Sequence, residues 1–469
     1  MSSKLTRRRL LKAGSVSAAA AGFWLTGGVT ESFAAQPGAN ERLNIAVIGC
    51  GGQGGGNASQ AVVRAENIVA LCDVDSNRAR DVFNRYPNVP KYTDFRVMYE
   101  KQKDIQAVIV STPDHQHFHA TAMALQRDKH CYTEKPLTHD VWEARQLKIL
   151  AAKHKVATSM GNHGTAHNGI REAAEIIRSG AIGEVREVHV WTNRPIWPQG
   201  VDRPKERQDP PKTLQWDLWL GSAPARPYYG PRAGTGRDGT YCPFTWRGWW
   251  DFGTGALGDM ACHTMNLAFM ALRLGAPSSV SAEVVGGVHA ESAPARGVTV
   301  TYQFPARGNG MPACTLYWYE SPYQPNVPRE KRVYRRPPAA VLQGVDNVSD
   351  SGCMLVGNKG KLYSGSDYGA TYVLLPRADF AAYRPPQPTI PRSPGHHAEW
   401  IRACKGGAAP MANFADYACP LTELVLLGNV AMRTGQRINW DAEKLQAINL
   451  PAANQYIRRT YRKGWEWNG

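Results

Sequence analysis

No two cysteines form a CxxC pair, and their number is odd: nine, at positions 50, 72, 131, 242, 262, 314, 353, 404 and 419. This removes the spacing of a structural zinc site and argues against a required disulfide framework. Cys50, Cys72 and Cys131 lie in apolar, strand-like surroundings, where a thiol behaves as a small hydrophobe. The 45 Gly and 32 Pro follow no Gly-X-Y period, which excludes a collagen-like chain, and no strong repeat of solenoid length is present. Acidic residues are comparatively scarce, 39 against 55 Lys and Arg, for a formal charge of +16. Such a surface attracts nucleic acid or acidic glycans. The basic residues are scattered, however, and their one dense cluster, Arg329–Arg336, reads as a solvated or anion-attracting loop; no nucleic-acid partner is expected. With 43% hydrophobic and 20% charged residues the chain is not disordered, and 469 residues suffice for two or three domains.

The first 35 residues read as an address. Arg7, Arg8 and Arg9 precede a weakly apolar stretch, Ala13–Leu25, and Ser32-Phe33-Ala34 offers small residues for cleavage after Ala34 or Ala35. The stretch is too short and too rich in Gly and Ser for a membrane span, and no cysteine follows it to carry a lipid, so no stable membrane anchor is expected. The expectation is a twin-arginine signal and a periplasmic or otherwise exported protein. Without residues 1–35, five basic and one acidic residue are lost and the charge falls to +12. Because that route carries folded proteins, a nucleotide acquired inside the cell has to be held tightly outside it.

From residue 43 the pattern changes. Leu43–Ile48 is a short apolar run of the buried parallel-strand type. It runs into Gly49-Cys50-Gly51-Gly52-Gln53-Gly54, which fits G-x-G-x-x-G, and a helix-compatible stretch continues to about Arg64. A second strand, Ile68–Cys72, ends at Asp73, 19 residues after Gly54. Gly49 permits the tight turn, Gly51 lets the backbone approach a pyrophosphate, and Gly54 lets helix pack on strand. The helix N-terminus faces the phosphates. Asp73 accepts hydrogen bonds from ribose hydroxyls and repels a 2′-phosphate, favouring NAD over NADP, although Arg78 in the same loop tolerates NADP. Strands at Ala107–Ser111, Cys131–Thr133 and Val156–Met160 alternate with helices at about Phe118–Arg127 and Thr138–Lys155, the latter with Thr138 as cap. Such alternation predicts a doubly wound parallel sheet, with ligands beyond the strands' carboxyl ends near Asp73, Pro113, His117 and Lys135.

The glycine loop, Thr112-Pro113-x-x-x-His117 and Glu134-Lys135-Pro136 together resemble the glucose–fructose oxidoreductase / inositol dehydrogenase family, Gfo/Idh/MocA, across about residues 42–160. Gly180–Val185, Gly255–His263 and Gly357–Gly360 extend the resemblance less tightly. It implies an N-terminal Rossmann dinucleotide-binding domain (36–160) and a C-terminal α/β domain with a large, mostly antiparallel open sheet (161–469). It also implies polyol or pyranoside substrates and a homo-oligomer, dimer or tetramer, formed through that sheet. By the same resemblance Lys135 matches the lysine of the EKP motif, and Asp259 and His263 match the D-x-x-x-H pair. Gly49, Gly51, Gly52, Gln53, Gly54, Asp73, Thr112, Pro113, His117, Glu134 and Lys135 are the expected cofactor contacts. The long Trp-, Pro- and Gly-rich stretch Trp191–Trp250 departs from the family's simple approach to that pair.

Asp259 and His263, four apart, share one face if Gly258–Arg273 is helical. Oxidising a secondary alcohol requires a base, which His263 supplies, and a donor for developing alkoxide charge, which Lys135 supplies. Asp259 would hold substrate and His263 in register. His115 and His119 are expected to be exposed, Asn162-His163-Gly164 to face the pocket, and His396-His397 with Glu399 to be structural, so that no metal is assigned. Seven tryptophans (191, 197, 216, 219, 246, 249 and 250) crowd one region and suggest a carbohydrate-lined cleft. The leading expectation is an exported NAD(P)-dependent oxidoreductase acting on a hydroxyl of a sugar, sugar derivative or glycoside. The alternatives are a redox-neutral NAD-dependent glycosidase on the same scaffold, and a non-catalytic NAD-dependent sugar sensor.

Overall fold

The computed structural model describes residues 41–230, 239–308 and 310–467. The export signal read over residues 1–35 lies outside them. Six strands form the first sheet: β1 (Asn44–Ile48), β2 (Asn67–Cys72), β3 (Lys91–Tyr92), β4 (Ala107–Val110), β5 (His130–Thr133) and β6 (Thr158–Met160). Their spatial order is β3-β2-β1-β4-β5-β6, every pair parallel. The order reverses direction between β1 and β4, which opens a crevice beyond the carboxyl ends of these two strands. Ala107, Val108, Ile109 and Val110 are fully buried, as expected of a strand covered by helices on both faces.

Nine strands form the second sheet: β7 (Val185–Thr192), β8 (Ser279–Val284), β9 (Val298–Phe304), β10 (Cys314–Glu320), β11 (Gly352–Gly357), β12 (Lys361–Ser364), β13 (Val373–Leu375), β14 (Ile438–Asp441) and β15 (Gln446–Ala447). The order is β13-β12-β11-β7-β10-β9-β8-β14-β15, and only β7 and β10 pair in parallel. Along β9, buried Val298, Val300 and Tyr302 alternate with half-buried Thr299, Thr301 and Gln303, so one face packs on helices and the other lies open. One apolar core joins the two sheets, running from Ile48 and Val110 through Leu427 to Val300 and Leu316.

Several sequence expectations shift in detail. The helix expected from Thr138 starts at Val141, and its cap is Asp140, which with Glu143 forms a capping box. The segment expected as one helix over 258–273 is two, Gly255–Thr264 and Asn266–Leu272. His115 and His119, expected at the surface, are buried. The ring nitrogens of His115 lie 2.9 Å from Trp219 O and 3.2 Å from Phe252 O, and His119 Nε2 lies 2.8 Å from Trp465 O. These covering segments are more than 100 residues away in the chain, so helical periodicity around His115 carried no sign of them. The cluster Arg329–Arg336 does form a largely exposed loop, in which Arg329 and Arg336 pair with Asp350.

Glu320, at the end of β10, is 1% exposed. Its Oε1 accepts a hydrogen bond from Gln199 Nε2 at 2.8 Å, while Oε2 is buried without a partner. Burial pushes its carboxyl up to about 8 from an ordinary 4.5. The folded state therefore prefers the protonated acid. That contribution is complete below about 4.5 and is lost as the pH rises through about 8. Glu320→Gln removes the titration. The variant is expected to match the parent near pH 4.5 and to be more stable above pH 8 by a few kcal/mol, at ~1.4 kcal/mol for each tenfold change in proton affinity. Denaturant unfolding at the two pH values measures this, and an unchanged difference between them would refute the assignment.

Candidate active site

β1 delivers the chain to Gly49, whose φ is +79°. A Cβ at Gly49 would stand 2.6 Å from Ser111 O, and one at Gly54 only 1.7 Å from Gly49 O. The turn thus closes tightly against β4 because both positions lack side chains. Asp73, at the end of β2, fixes the same turn: its Oδ2 accepts from Cys50 N at 2.7 Å and Gly51 N at 3.3 Å, and its Oδ1 from Asp75 N at 2.9 Å. The carboxylate expected from sequence to contact ribose thus holds the loop in shape. Arg78 packs its backbone on Gly51, and its guanidinium lies close to Gly52.

A cavity of about 1320 Å³ begins at Gly49–Gln53 and also takes in Asp73, Thr112, Pro113, His117, Glu134, Lys135, Asp259 and His263. His117 is held between two backbone carbonyls, with Nδ1 2.8 Å from Pro136 O and Nε2 2.8 Å from Thr112 O. It therefore ties the loop after β4 to the loop after β5. Glu134 Oε1 accepts from Asn57 Nδ2 at 2.8 Å and Gln53 Nε2 at 3.4 Å.

Lys135 reaches across to the helix Gly255–Thr264. Its ammonium donates to Asp259 Oδ1 at 2.7 Å and to the Asp259 carbonyl at 3.0 Å. Arg247 Nε donates to the same Oδ1 at 3.3 Å. Burial alone would raise the Asp259 carboxyl, but the Lys135 and Arg247 charges overcome it and hold the group well below the usual carboxylate range. The same pairing outweighs burial at Lys135 and raises its pKa. His263 is buried, and burial, followed by the Lys135 charge, pushes its imidazole well below the ordinary value. Its ring packs edge-on against Tyr368, with centroids 4.7 Å apart, and its Nδ1 has no partner. No hydrogen bond joins Asp259 to His263. The carboxylate is turned toward Lys135 and Arg247, so the pair shares a cavity and not a direct contact. What the site offers is a neutral imidazole and an ammonium with one N–H still free, both open to one space.

His163 lines this space too, its Nε2 3.3 Å from the Tyr132 hydroxyl, while Asn162 is buried beside it. His396 and His397 have separate partners, Met160 O at 2.8 Å and Asn57 Oδ1 at 3.1 Å, and Glu399 pairs with Arg171 at 2.6 Å. Among the described residues no group of three His, Cys, Asp or Glu is placed to hold a metal ion. The tryptophan cluster is mainly core. Only Trp219 and Trp246 of the seven line the cavity, whereas Trp191 stacks on Tyr363 and Trp249 packs on Tyr241. The expected aromatic cleft is reduced accordingly, because the large rings fill the layer beneath the insertion. Sequence reasoning missed Arg194, Asp367 and Tyr368 in the wall, and gave Arg247 no role. Arg247 stood in a visible Trp-Arg-Gly-Trp-Trp run; the other three follow strand ends and carry no local signal.

Two family models match the chain. One, described as oxidoreductase family, NAD-binding Rossmann fold, matches residues 43–162; the other, oxidoreductase family, C-terminal alpha/beta domain, matches residues 173–306. Together they take in more than half of the chain. An inositol 2-dehydrogenase of Arthrobacter sp. is 30% identical over 165 residues, covering 34% of this chain and 48% of the relative. The chain thus spans about half the length of the curated relatives it matches. Among solved structures, the WlbA dehydrogenase of Chromobacterium violaceum, in complex with NADH and UDP-GlcNAcA, has a TM-score of 0.58 at 15% identity and covers 87% of this chain and 99% of its own. An inositol dehydrogenase homolog of Azotobacter vinelandii, with NADH and myo-inositol, has a TM-score of 0.52 at 15% identity, covering 85% and 98%. At these identities the structural likeness is one of fold.

Proposed function

The chain belongs to the Gfo/Idh/MocA oxidoreductase family, and from that premise we propose that it is an exported NAD-dependent oxidoreductase acting on a hydroxyl of a sugar or sugar derivative. The observation that carries this reading is that Lys135 and His263 open onto the same cavity as the glycine turn. That turn fits a dinucleotide: Gly49 and Gly54 leave no room for side chains, and Asp73 and the otherwise unpartnered hydroxyl of Thr112 stand in its wall. Gly51, Gly52, Gln53, Pro113, His117 and Glu134 complete the expected cradle. When bound there, NAD supplies the acceptor for a hydride.

The chain's own residues do the rest. Neutral His263 takes the proton of the substrate hydroxyl. Lys135, with two of its N–H groups engaged by Asp259, directs the third at the same oxygen and stabilises the developing negative charge. Asp259, held by Lys135 and Arg247, fixes the lysine in that position. The open face of the nine-stranded sheet, where Thr299, Thr301 and Gln303 point away from the core, supports pairing of subunits into a dimer or tetramer. Among the described residues no helix is long and apolar enough to cross a membrane. Arg7, Arg8 and Arg9 support export of the folded protein, and with it a tightly held cofactor.

The test uses purified protein with no added nucleotide. An absorbance in the nicotinamide band that appears when a free sugar is added, in proportion to protein, supports the reading. Sugar released catalytically from a glycoside without added NAD points instead to the redox-neutral glycosidase. Sugar binding without turnover of any kind points to the sensor, and either result removes the proposal.

A further inference from the structure

Most charged side chains around His263 in the cavity have an ionic or hydrogen-bond partner. Lys135 and Arg247 share Asp259, Asp114 accepts from Thr254 Oγ1 at 2.7 Å, and Glu134 is occupied by Asn57 and Gln53. Arg194 and Asp367 are the exceptions. Arg194 lies two residues beyond β7 and lines the same cavity. Among the described residues no carboxylate comes within 4.0 Å of its guanidinium. Its side chain donates to the neutral amide oxygen of Asn193, whose backbone N–H is in turn anchored on Ser351 Oγ at 3.2 Å. The guanidinium is thereby positioned while most of its five N–H donors stay available. Arg194 is near enough to His263 that its charge adds to burial and the Lys135 charge in keeping that imidazole neutral.

Asp367 stands in the same wall. One of its carboxylate oxygens is buried without a partner, and the next residue, Tyr368, packs on His263. The segment sits this close because Gly164 has no side chain: a Cβ there would come within 2.6 Å of Tyr368 O. A fixed guanidinium in a partly enclosed cavity is costly to desolvate unless a ligand brings the counter-charge, and its planar fork matches a carboxylate. An unpartnered carboxylate nearby suits a hydroxyl donor.

We infer that the substrate is a carboxylate-bearing sugar, its carboxylate paired with Arg194 and a ring hydroxyl donating to Asp367. This rests on the oxidoreductase reading for the reaction, but not for the binding. The glycine turn is flanked by a different cation, Arg78, so Arg194 is not required for the cofactor phosphates.

The experiment compares D-glucuronate and D-galacturonate with D-glucose and D-galactose as substrates of the full-length, NAD-loaded protein. The acids are expected to be preferred in kcat/KM by about 10- to 100-fold, the range of a charge-assisted bidentate contact. Arg194→Gln should erase that preference, and Arg194→Lys should keep part of it, since a point charge replaces the fork. Fluorescence titration with NADH checks that both variants are folded. A parent protein that does not prefer the acids, or a preference that survives Arg194→Gln, overturns the inference. If no sugar is oxidised, calorimetric titration with D-glucuronate still decides. Binding that depends on Arg194 sustains the inference while the oxidoreductase reading falls. Absent binding, or binding unchanged in Arg194→Gln, removes the inference itself.

Discussion

Replacing Lys135 by Met is expected to lower kcat about 1,000-fold while leaving NADH binding within a few-fold of the parent, the range typical for removing a group that stabilises transition-state charge. The two effects separate because the Lys135 ammonium bonds Asp259, whereas the turn is closed by Gly49, Gly54 and Asp73. The ammonium is spent on Asp259 and on the cavity, and it makes no contact with the residues that close the turn. Asp259 keeps Arg247 as a partner in the variant, so the carboxylate is not stranded and the fold survives. Steady-state rates beside a fluorescence titration measure both quantities. A variant that turns over at the parental rate removes Lys135 from the chemistry; one that no longer binds NADH shows that the lysine supports the nucleotide instead.

The largest stability effect is expected at Arg459. This half-buried side chain pairs with Asp140 through Nε at 3.1 Å and with Glu143 through Nη2 at 3.1 Å, and Tyr461 donates to Glu143 at 2.9 Å. Burial raises the Glu143 carboxyl despite the Arg459 charge, whereas at Asp140 that charge, helped by His139, wins and lowers it. Arg459→Met strands two buried carboxylates, and the expected cost is about 3–5 kcal/mol. The loss should be smaller at low pH, where the stranded acids can take up protons. Adding Glu143→Gln should recover part of it, since one of the two uncompensated charges disappears. Urea unfolding of the single and double variants tests this; a double variant no more stable than Arg459→Met would show that the ion pairs are not the source of the loss.

The nucleotide-binding half was legible because its determinants are local. A buried parallel strand, a turn that needs glycines and an acid at the end of the next strand all fall within about 30 residues, and each has its own composition or spacing. Lys135, Asp259 and His263 were reached through motif resemblance, and the structure brings them to one cavity. What was illegible is what long-range packing decides. His115 and His119 are covered by segments remote in the chain, most of the tryptophans turned inward, and Arg194 and Asp367 reach the cavity from the ends of two strands of the second sheet. The direction of the Asp259 carboxylate, toward Lys135 and Arg247 and away from His263, follows from helix placement that a four-residue spacing does not specify.

The tail that carries Arg459 continues to Trp465, which lines the cavity, packs against Phe95 and lies under the Arg96 guanidinium at 4.1 Å. A ribosome making this protein has therefore finished the six-stranded sheet's sequence some 300 residues before the wall beside it can be built. Contacts of such separation form slowly. That stretch of the wall is therefore the last to be completed, and a chain truncated before residue 459 would lack it.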